Sequence, residues 1–406
     1  MEQRTVPRNR LFLFGSLFIF ILSSCNFPTT PQVPSTAEII TAVVATLTAE
    51  GLSTPTQAPP TPTAMPLLPN SVYFLSPQNG SNQVSRLERD GLTRSQITNE
   101  SLGIESYDVS RQDGQVAYVT DNQLYLIDSD GGNRQLFVDN AETDPEAANY
   151  YYVEHISDPK FSPDGRYLAY AQNGIWILDL STNEAQHVLD NQIETAEDGS
   201  AQPFELYFPL EWAPDSRRLL ISIALGEGGL LGILDPSGDP LLLRLDSLGI
   251  FCCQASWAPD SGSVLLASPY LGVVDAGLWR YDASTGDETT LLETVSGGLY
   301  TFAGWPLQLP NNDLQYFFTS SAEIPEGDQL LYMVHSAADG VSGRAQLRSE
   351  GFDILDALWA EDGSLALIVQ AGSTGTGLSG PVVLVFSDGR QLQVLLDEAQ
   401  RLRWGP

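Results

Sequence analysis

Basic residues are scarce in this sequence. Lysine and arginine together number 19 against 51 aspartate and glutamate residues, which gives a formal net charge of −32 at pH 7. Nucleic-acid binding requires a basic footprint, so nucleic acid is excluded as a partner. An acidic surface also repels anionic lipid headgroups. It keeps an exposed body soluble, and it could attract metal cations or basic partners.

Motifs that support catalysis are also lacking. The three histidines, His155, His187 and His335, lie far apart, and neither HExxH nor G-x-S-x-G occurs. Asp128 and Asp130 fall in a DSDGGN turn and miss the spacing of a calcium-binding loop. The sequence therefore predicts no catalytic residue, no metal site and no cofactor.

Cysteine is limited to Cys25 and the adjacent pair Cys252 and Cys253. In an oxidising compartment the pair could form a strained vicinal disulfide. The alternative is two buried thiols that pack as small apolar side chains. Zinc is not predicted there, because no histidine or second cysteine pair is nearby.

Long apolar runs are absent, and the N-terminal one, LFLFGSLFIFIL, has twelve residues. A transmembrane helix needs about 20, so residues 1–24 are predicted to be an export signal rather than an anchor. The stretch Leu22, Ser23, Ser24 and Cys25 resembles the bacterial lipobox, in which the cysteine is diacylated and becomes the new N-terminus. The resemblance implies a lipoprotein outside the cytoplasm, anchored to the membrane of the cell envelope through Cys25. A plain secretory signal with a chance cysteine is the alternative.

Residues 25–69 are predicted to be a tether. Nine of the 44 residues from 26 to 69 are proline and almost none is charged, which favours extended polyproline II. The stretch STAEIITAVVATLTAEG has capping-box spacing and a terminal glycine. It could therefore form a short helix over 36–50.

The rest of the chain, 70–406, repeats a unit of about 50 residues. Each unit has a first apolar strand, then a tight turn such as SPDGR or APDSR, then further short strands. We call the residue directly before the tight turn the marked position of the unit, and the first strand its innermost strand. The marked positions are 45 to 54 residues apart: Val109, Phe161, Trp212, Trp257, Trp305, Trp359 and Trp404. A unit of four short strands cannot bury both its faces alone. The copies are therefore predicted to stack radially as a β-propeller.

The stretches FSPDGRYLAY and LIDSDGGNRQLFVD resemble the repeat of TolB-like, WD-repeat-like propellers of bacterial envelopes. Seven starts predict an all-β propeller of seven four-stranded blades. Six or eight remain possible, and the resemblance implies six. The last strand, QRLRWGP, has no partners after it, and three N-terminal strands lack an innermost strand. Their pairing is predicted to close the ring.

The longer segments fall mostly on one face of such a ring, which marks it as the binding surface; neutral drift of surface loops is the alternative. They are 141–156 and 191–206 between blades, and 267–276, 320–328 and 370–380 within blades. The exception is 336–344. The candidate ligand- or partner-binding residues are Tyr150, Tyr151, Tyr152, Glu154 and His155, with Tyr270. The tyrosines could instead begin the strand that leads to Phe161.

The predicted function is a membrane-tethered, extracytoplasmic propeller of the bacterial cell envelope that binds or scaffolds an envelope protein, a peptide or a glycan. The alternative is an envelope enzyme, a polysaccharide lyase or hydrolase, with an active site on the long-loop face. A propeller fold by itself does not choose between them.

Overall fold

The computed structural model describes residues 66–147, 149–195, 201–225, 228–245, 255–269, 275–325, 329–371 and 378–406. All belong to the second of two units, Met65–Pro406. The export signal, Cys25, the helix over 36–50, Tyr270, Cys252 and Cys253 lie outside the described residues. No helix among the described residues has the length and apolar character to cross a membrane.

The described residues form almost entirely β-strands. In chain order these are β1 (Val72–Gln78), β2 (Ser81–Leu87), β3 (Arg94–Gln96), β4 (Ser106–Val109), β5 (Val116–Thr120), β6 (Gln123–Ile127), β7 (Gln135–Asp139), β8 (Ser157–Phe161), β9 (Tyr167–Ala171), β10 (Gly174–Asp179), β11 (Glu184–Asp190), β12 (Gln192–Thr195), β13 (Ala201–Trp212), β14 (Leu219–Leu225), β15 (Gly228–Leu234), β16 (Leu242–Leu245), β17 (Ser256–Trp257), β18 (Ser263–Ser268), β19 (Gly277–Asp282), β20 (Glu288–Leu292), β21 (Val295–Ser296), β22 (Leu299–Gln308), β23 (Leu314–Ser321), β24 (Leu331–Ser336), β25 (Ala345–Phe352), β26 (Ile354–Trp359), β27 (Leu365–Gln370), β28 (Gly380–Phe386) and β29 (Gln393–Trp404).

These strands pair in sequence order into antiparallel four-stranded sets, the blades of a β-propeller. Blades 1 to 5 are β4–β7, β8–β11, β13–β16, β17–β20 and β22–β25, and blade 6 is β26–β29. The sheet of blade 6 continues through β29 into β1, β2 and β3, which form blade 7. The all-β propeller prediction is confirmed, and the strand pairing of the described residues fits seven blades.

Strand β29 closes the ring because it serves two blades. Its first part pairs with β28, for example Leu396 opposite Val382. Its end pairs with β1, with Trp404 opposite Val72 and Arg403 opposite Tyr73. The predicted pairing of the N- and C-terminal strands is therefore confirmed, and it covers an edge that would otherwise be exposed.

The core lies between blades rather than within one sheet. The second strands are apolar on both faces, as in β5 and β27, because each blade packs against a neighbour on either side. Between blades 5 and 6, for example, the Phe317 ring stacks on the Trp359 ring with centroids 5.0 Å apart. This arrangement explains why continuous apolar runs, not alternating ones, mark these strands.

The innermost strands are tied together by their tryptophans. The Trp212 indole donates to the Lys160 carbonyl at 3.0 Å, and the Trp257 indole donates to the Glu211 carbonyl at 3.2 Å. Trp359 and Trp404 repeat the contact with the preceding blade, at 2.8 and 2.7 Å. The repeated tryptophan is therefore a link between adjacent blades around the axis.

Two short hairpins and one helical turn depart from the predicted loops. Residues 191–206, expected as a long loop, contain β12, which pairs with the start of β13. Strand β21 pairs with β22 in the same way. In both places the innermost strand, β13 or β22, begins before the part that pairs within its blade. The preceding residues pair with this extension as a short strand. A π-helical turn, Tyr150–Glu154, precedes β8.

Candidate functional site

Charged side chains occur at matching places on the innermost strands. Asp108, Lys160, Glu211 and Arg403 each directly precede a marked position of the repeat. The marked residues themselves are buried between blades. Because successive side chains of a strand point to opposite faces, the preceding residues point the other way.

A bulge in the innermost strands brings further charges to this place. The register shifts at Asp158 in β8, between Ile354 and Asp356 in β26, and near Arg401 where β29 pairs with β1. Asp158 and Arg401 adopt positive φ of 51° and 54°. Bulges re-aim side chains and are common beside functional sites.

These charges converge on the propeller's central channel. The pKa of Glu211 in blade 3 is lowered by the charge of Arg403 in blade 7 and raised by the charge of Asp108 in blade 1. Blades 3 and 7 are not neighbours in the ring, so the two side chains can interact only across the shared axis. We call Asp108, Lys160, Glu211, Asp356 and Arg403 the channel cluster.

Arg403 and Asp108 form the paired part of the channel cluster. The Arg403 Nε lies 3.2 Å from the Asp108 Oδ1, and the Asp108 Oδ2 accepts a hydrogen bond from the Phe161 amide at 2.8 Å. Burial lowers the pKa of Arg403. The neighbouring carboxylates, Asp108 first, raise this pKa by more than burial lowers it, so the net shift is upward. This pair joins blade 7 to blade 1.

Lys160 is the unpaired cation of the channel cluster. The residue is 9% exposed, and among the described residues its ammonium forms no hydrogen bond or ion pair. Burial lowers the pKa of Lys160, and the positive charge of Arg403 lowers it further. It is also the only lysine in the 406-residue sequence.

The pKa values of Glu211 and Asp356 are raised, whereas that of Lys160 is lowered. The Glu211 side chain is exposed to the channel, but the surrounding protein encloses it. The resulting loss of solvation raises its pKa by more than Arg111 and Arg403 lower it. Burial also raises the pKa of Asp356, although Arg403 and hydrogen bonds from Ala357 and Trp305 lower it. The channel therefore disfavours the charged form of both acids and of its lysine.

The predicted tyrosine cluster forms the π-helical turn and not the start of β8. The carbonyl of Tyr152 accepts from the Asn191 side chain at 2.8 Å. The carbonyl of Glu154 accepts from the side chains of Asn122 and Asn140, at 3.1 and 2.9 Å. Three buried or half-buried amides thus fix the turn in place.

The rings of this turn are arranged around His155. The Tyr151 ring stacks on it with centroids 5.7 Å apart, and Tyr150 lies at the same distance, tilted by 45°. The Tyr151 side chain is 56% exposed. Burial and then the Asp158 carboxylate raise the pKa of Tyr151, and His155 Nε2 lies 3.9 Å from Glu105. The tyrosine turn lies directly before β8, an innermost strand, on the face where the chain crosses from one blade to the next. It therefore stands at that end of the channel, which we call the crossing-face mouth.

Sequence reasoning missed the channel cluster although two signals were available. In four of the seven repeats the residue before the marked position is charged, and one of these residues is the single lysine of the chain.

The predicted site residues of the tyrosine turn contact one another, whereas His187 and His335 lie elsewhere, beside Asp190 and Asp313. No group of three or more His, Cys, Asp or Glu in the described part of the chain is arranged to hold a metal.

Comparisons with known proteins show the fold. No protein-family model matches the chain, and no curated protein matches it. Among solved structures, oligogalacturonate lyase from Vibrio parahaemolyticus matches at 12% identity and a TM-score of 0.51, over 81% of this chain and 86% of that chain. A prolyl endopeptidase matches at 13% identity and 0.50, over 84% of this chain and 51% of that chain, so this chain spans about half its length. TolB from Acinetobacter baumannii matches at 15% identity and 0.42, over 83% of each chain. The likeness is one of fold, and the propeller fold hosts many activities.

Proposed function

We propose that this protein is a lipid-anchored, extracytoplasmic propeller of the bacterial cell envelope that binds an envelope partner at the crossing-face mouth of its channel. The lipobox-like Leu22 to Cys25 and the proline-rich tether support the location and the anchor. The tether would hold the propeller away from the membrane. The partner would be an envelope protein, a peptide or a glycan.

The observation that carries the proposal is the tyrosine turn. It combines an exposed aromatic ring, Tyr151, with a backbone fixed by the side chains of Asn122, Asn140 and Asn191. Aromatic side chains that are already ordered contribute contact area at a small loss of conformational entropy. Such residues dominate the binding energy of many interfaces.

Cross-linking in intact cells tests this function. A photo-reactive phenylalanine analogue replaces Tyr151, and a matched variant carries it at Val341, which is 50% exposed in the turn between β24 and β25 on the opposite face. We expect a discrete cross-linked partner from position 151 and none from position 341. Equal products from both positions, or none from position 151, would contradict the proposal.

An envelope enzyme is the second candidate, and the opposite pKa shifts of Lys160 and Glu211 favour it. Groups whose charged forms are disfavoured can exchange protons with a substrate near neutral pH. Turnover of a polysaccharide or peptide that is abolished by Glu211→Gln, with no cross-linked partner from Tyr151, would favour the enzyme over the binding module.

A further inference from the structure

We propose that the central channel contains a binding site for a single carboxylate group, centred on the ammonium of Lys160. The inference rests on the proposed binding function and names the chemical group that the channel receives. Lys160 is nine-tenths buried and has no hydrogen-bonding or ionic partner among the described residues. A buried, unpaired charge lowers stability, so an incoming anion gives this lysine a partner that the fold does not supply.

The ammonium of Lys160 faces the space in which three blades meet. The charges that act on it are Arg401 and Arg403 of blade 7, Asp108 of blade 1 and Asp158 of its own strand. Glu211 of blade 3 acts on the same space. A group bound there therefore contacts the axis of the propeller and not an outer surface.

The other cations near the channel are already engaged. Arg111 forms an ion pair with Glu361 at 2.6 Å, and the Arg401 guanidinium donates to the Glu105 carbonyl at 2.6 Å. Arg403 is held by Asp108. Of these four cations, Lys160 alone has no hydrogen-bond or ion-pair partner in the described part of the chain.

The surrounding charge selects an anion with one negative charge. Arg401 and Arg403 also act on Lys160, but Arg401 donates to the Glu105 carbonyl and Arg403 is paired with Asp108. The other side chains that act on this space, Asp158 and Glu211, are acids. A dianion, such as phosphate above neutral pH, would be repelled by them, because charges interact strongly where water is largely excluded. A carboxylate matches the single cation, and a protonated Glu211 can donate a hydrogen bond to it.

Selective labelling tests the site, because the chain contains one lysine. The full chain, purified in detergent with lysine carrying ¹³C at Cε, gives one lysine signal, from Lys160. Sodium acetate is the probe at constant ionic strength, and acetamide is its neutral control. We expect a saturable shift of the signal with acetate only. The titration midpoint of Lys160 should rise when acetate is present, since the anion favours the ammonium.

Three results would overturn the carboxylate site. They are no saturable shift with acetate, the same shift with acetamide, and tighter binding of phosphate than of acetate. In support, acetate should bind roughly tenfold or more tightly than phosphate, which corresponds to about 1.4 kcal/mol.

Two variants separate the site from the proposed function. Lys160→Met should remove the acetate-dependent rise in the melting temperature, whereas Glu211→Gln should keep it. If Lys160→Met does not fold, the signal of the unaltered chain still decides. A chain that forms the Tyr151 cross-link without an acetate shift refutes only the carboxylate site. Acetate binding without the cross-link refutes partner binding at the mouth and leaves the site standing.

Discussion

At the scale of single residues, the channel cluster places charges where they reduce stability. Lys160 has no hydrogen-bond or ion-pair partner among the residues that the structure describes, and desolvation raises the pKa of Glu211. By contrast, the buried Glu205 accepts a hydrogen bond from Arg244 at 2.7 Å. Charges that weaken the fold at a channel are the pattern expected of a site selected for function.

Replacement of Lys160 by methionine should therefore stabilise the protein. The pKa of Lys160 is lower in the folded chain than its usual value. The unfolded chain consequently binds more protons between these two values, and stability rises with pH across that window. At pH 7 we expect Lys160→Met to gain about 1–3 kcal/mol, the order observed when buried charges are replaced by apolar groups.

Urea unfolding at several pH values measures this gain. It should shrink as the pH rises toward the ordinary value for lysine, because the unaltered chain then loses its buried charge. A constant gain at every pH, or a loss of stability at pH 7, would show that the ammonium is not strained in the folded protein.

At the scale of elements, the tight turn after each innermost strand also connects blades. In blades 1, 2 and 6 its last position is a glycine with positive φ, as at Gly165. Ser216 and Ser261 adopt the same backbone conformation in blades 3 and 4, with φ of 59° and 61°. The Ser216 hydroxyl accepts from the Asp164 amide of the preceding blade at 3.0 Å, and Ser261 repeats this contact with Asp215. The serine of the repeated APDS sequence therefore adopts a strained backbone conformation and forms a hydrogen bond to the preceding blade.

Two substitutions at Ser216 separate the strain from the contact. Ser216→Ala keeps the backbone strain of a positive φ and loses the hydrogen bond, which should cost about 1 kcal/mol. Ser216→Gly loses the same bond but relieves the positive φ, so it should be roughly 1 kcal/mol more stable than the alanine variant. Urea unfolding of both variants measures the difference. Equal stabilities would mean that the turn is not strained.

At the scale of the whole molecule, one strand holds the ring closed. The residues after Ala399 supply the pairs of β29 with β1 and the indole contact of Trp404 with Trp359. They also supply Arg403 to the channel cluster. Ring closure and the channel charges therefore depend on the same short segment.

Deletion of residues 400–406 should open the ring. Strand β1 would lose its partner and expose an edge, so we expect aggregation and no cooperative unfolding transition. A chain that ends at Trp404 is the control. It keeps the strand pairs and loses the hydrogen bonds of the Ser71 backbone and hydroxyl with the last two residues, which should cost about 1–2 kcal/mol. Size-exclusion chromatography and thermal unfolding test both chains, and a monomeric 1–399 chain of normal stability would contradict this account of closure.

The sequence by itself determined the repeat, and the repeat determined the fold. Apolar strands must bury both faces, and turns built on proline, aspartate and glycine mark their ends, so Phe161 and the tryptophans could be aligned from local chemistry alone. The closing strand followed from the same alignment. The hairpin of β12 with β13 did not, because pairing beyond a blade depends on which edge the neighbouring chain leaves open.

Only the tertiary structure decided the candidate site. Asp108, Lys160, Glu211 and Arg403 are separated by 51 or more residues in sequence, and each is an ordinary charged residue in its own repeat. Ring closure brings them to one axis, and the enclosed channel then makes charges from different blades interact. Whether a side chain such as Lys160 has a partner depends on the burial and position of groups from several blades, which no local pattern encodes.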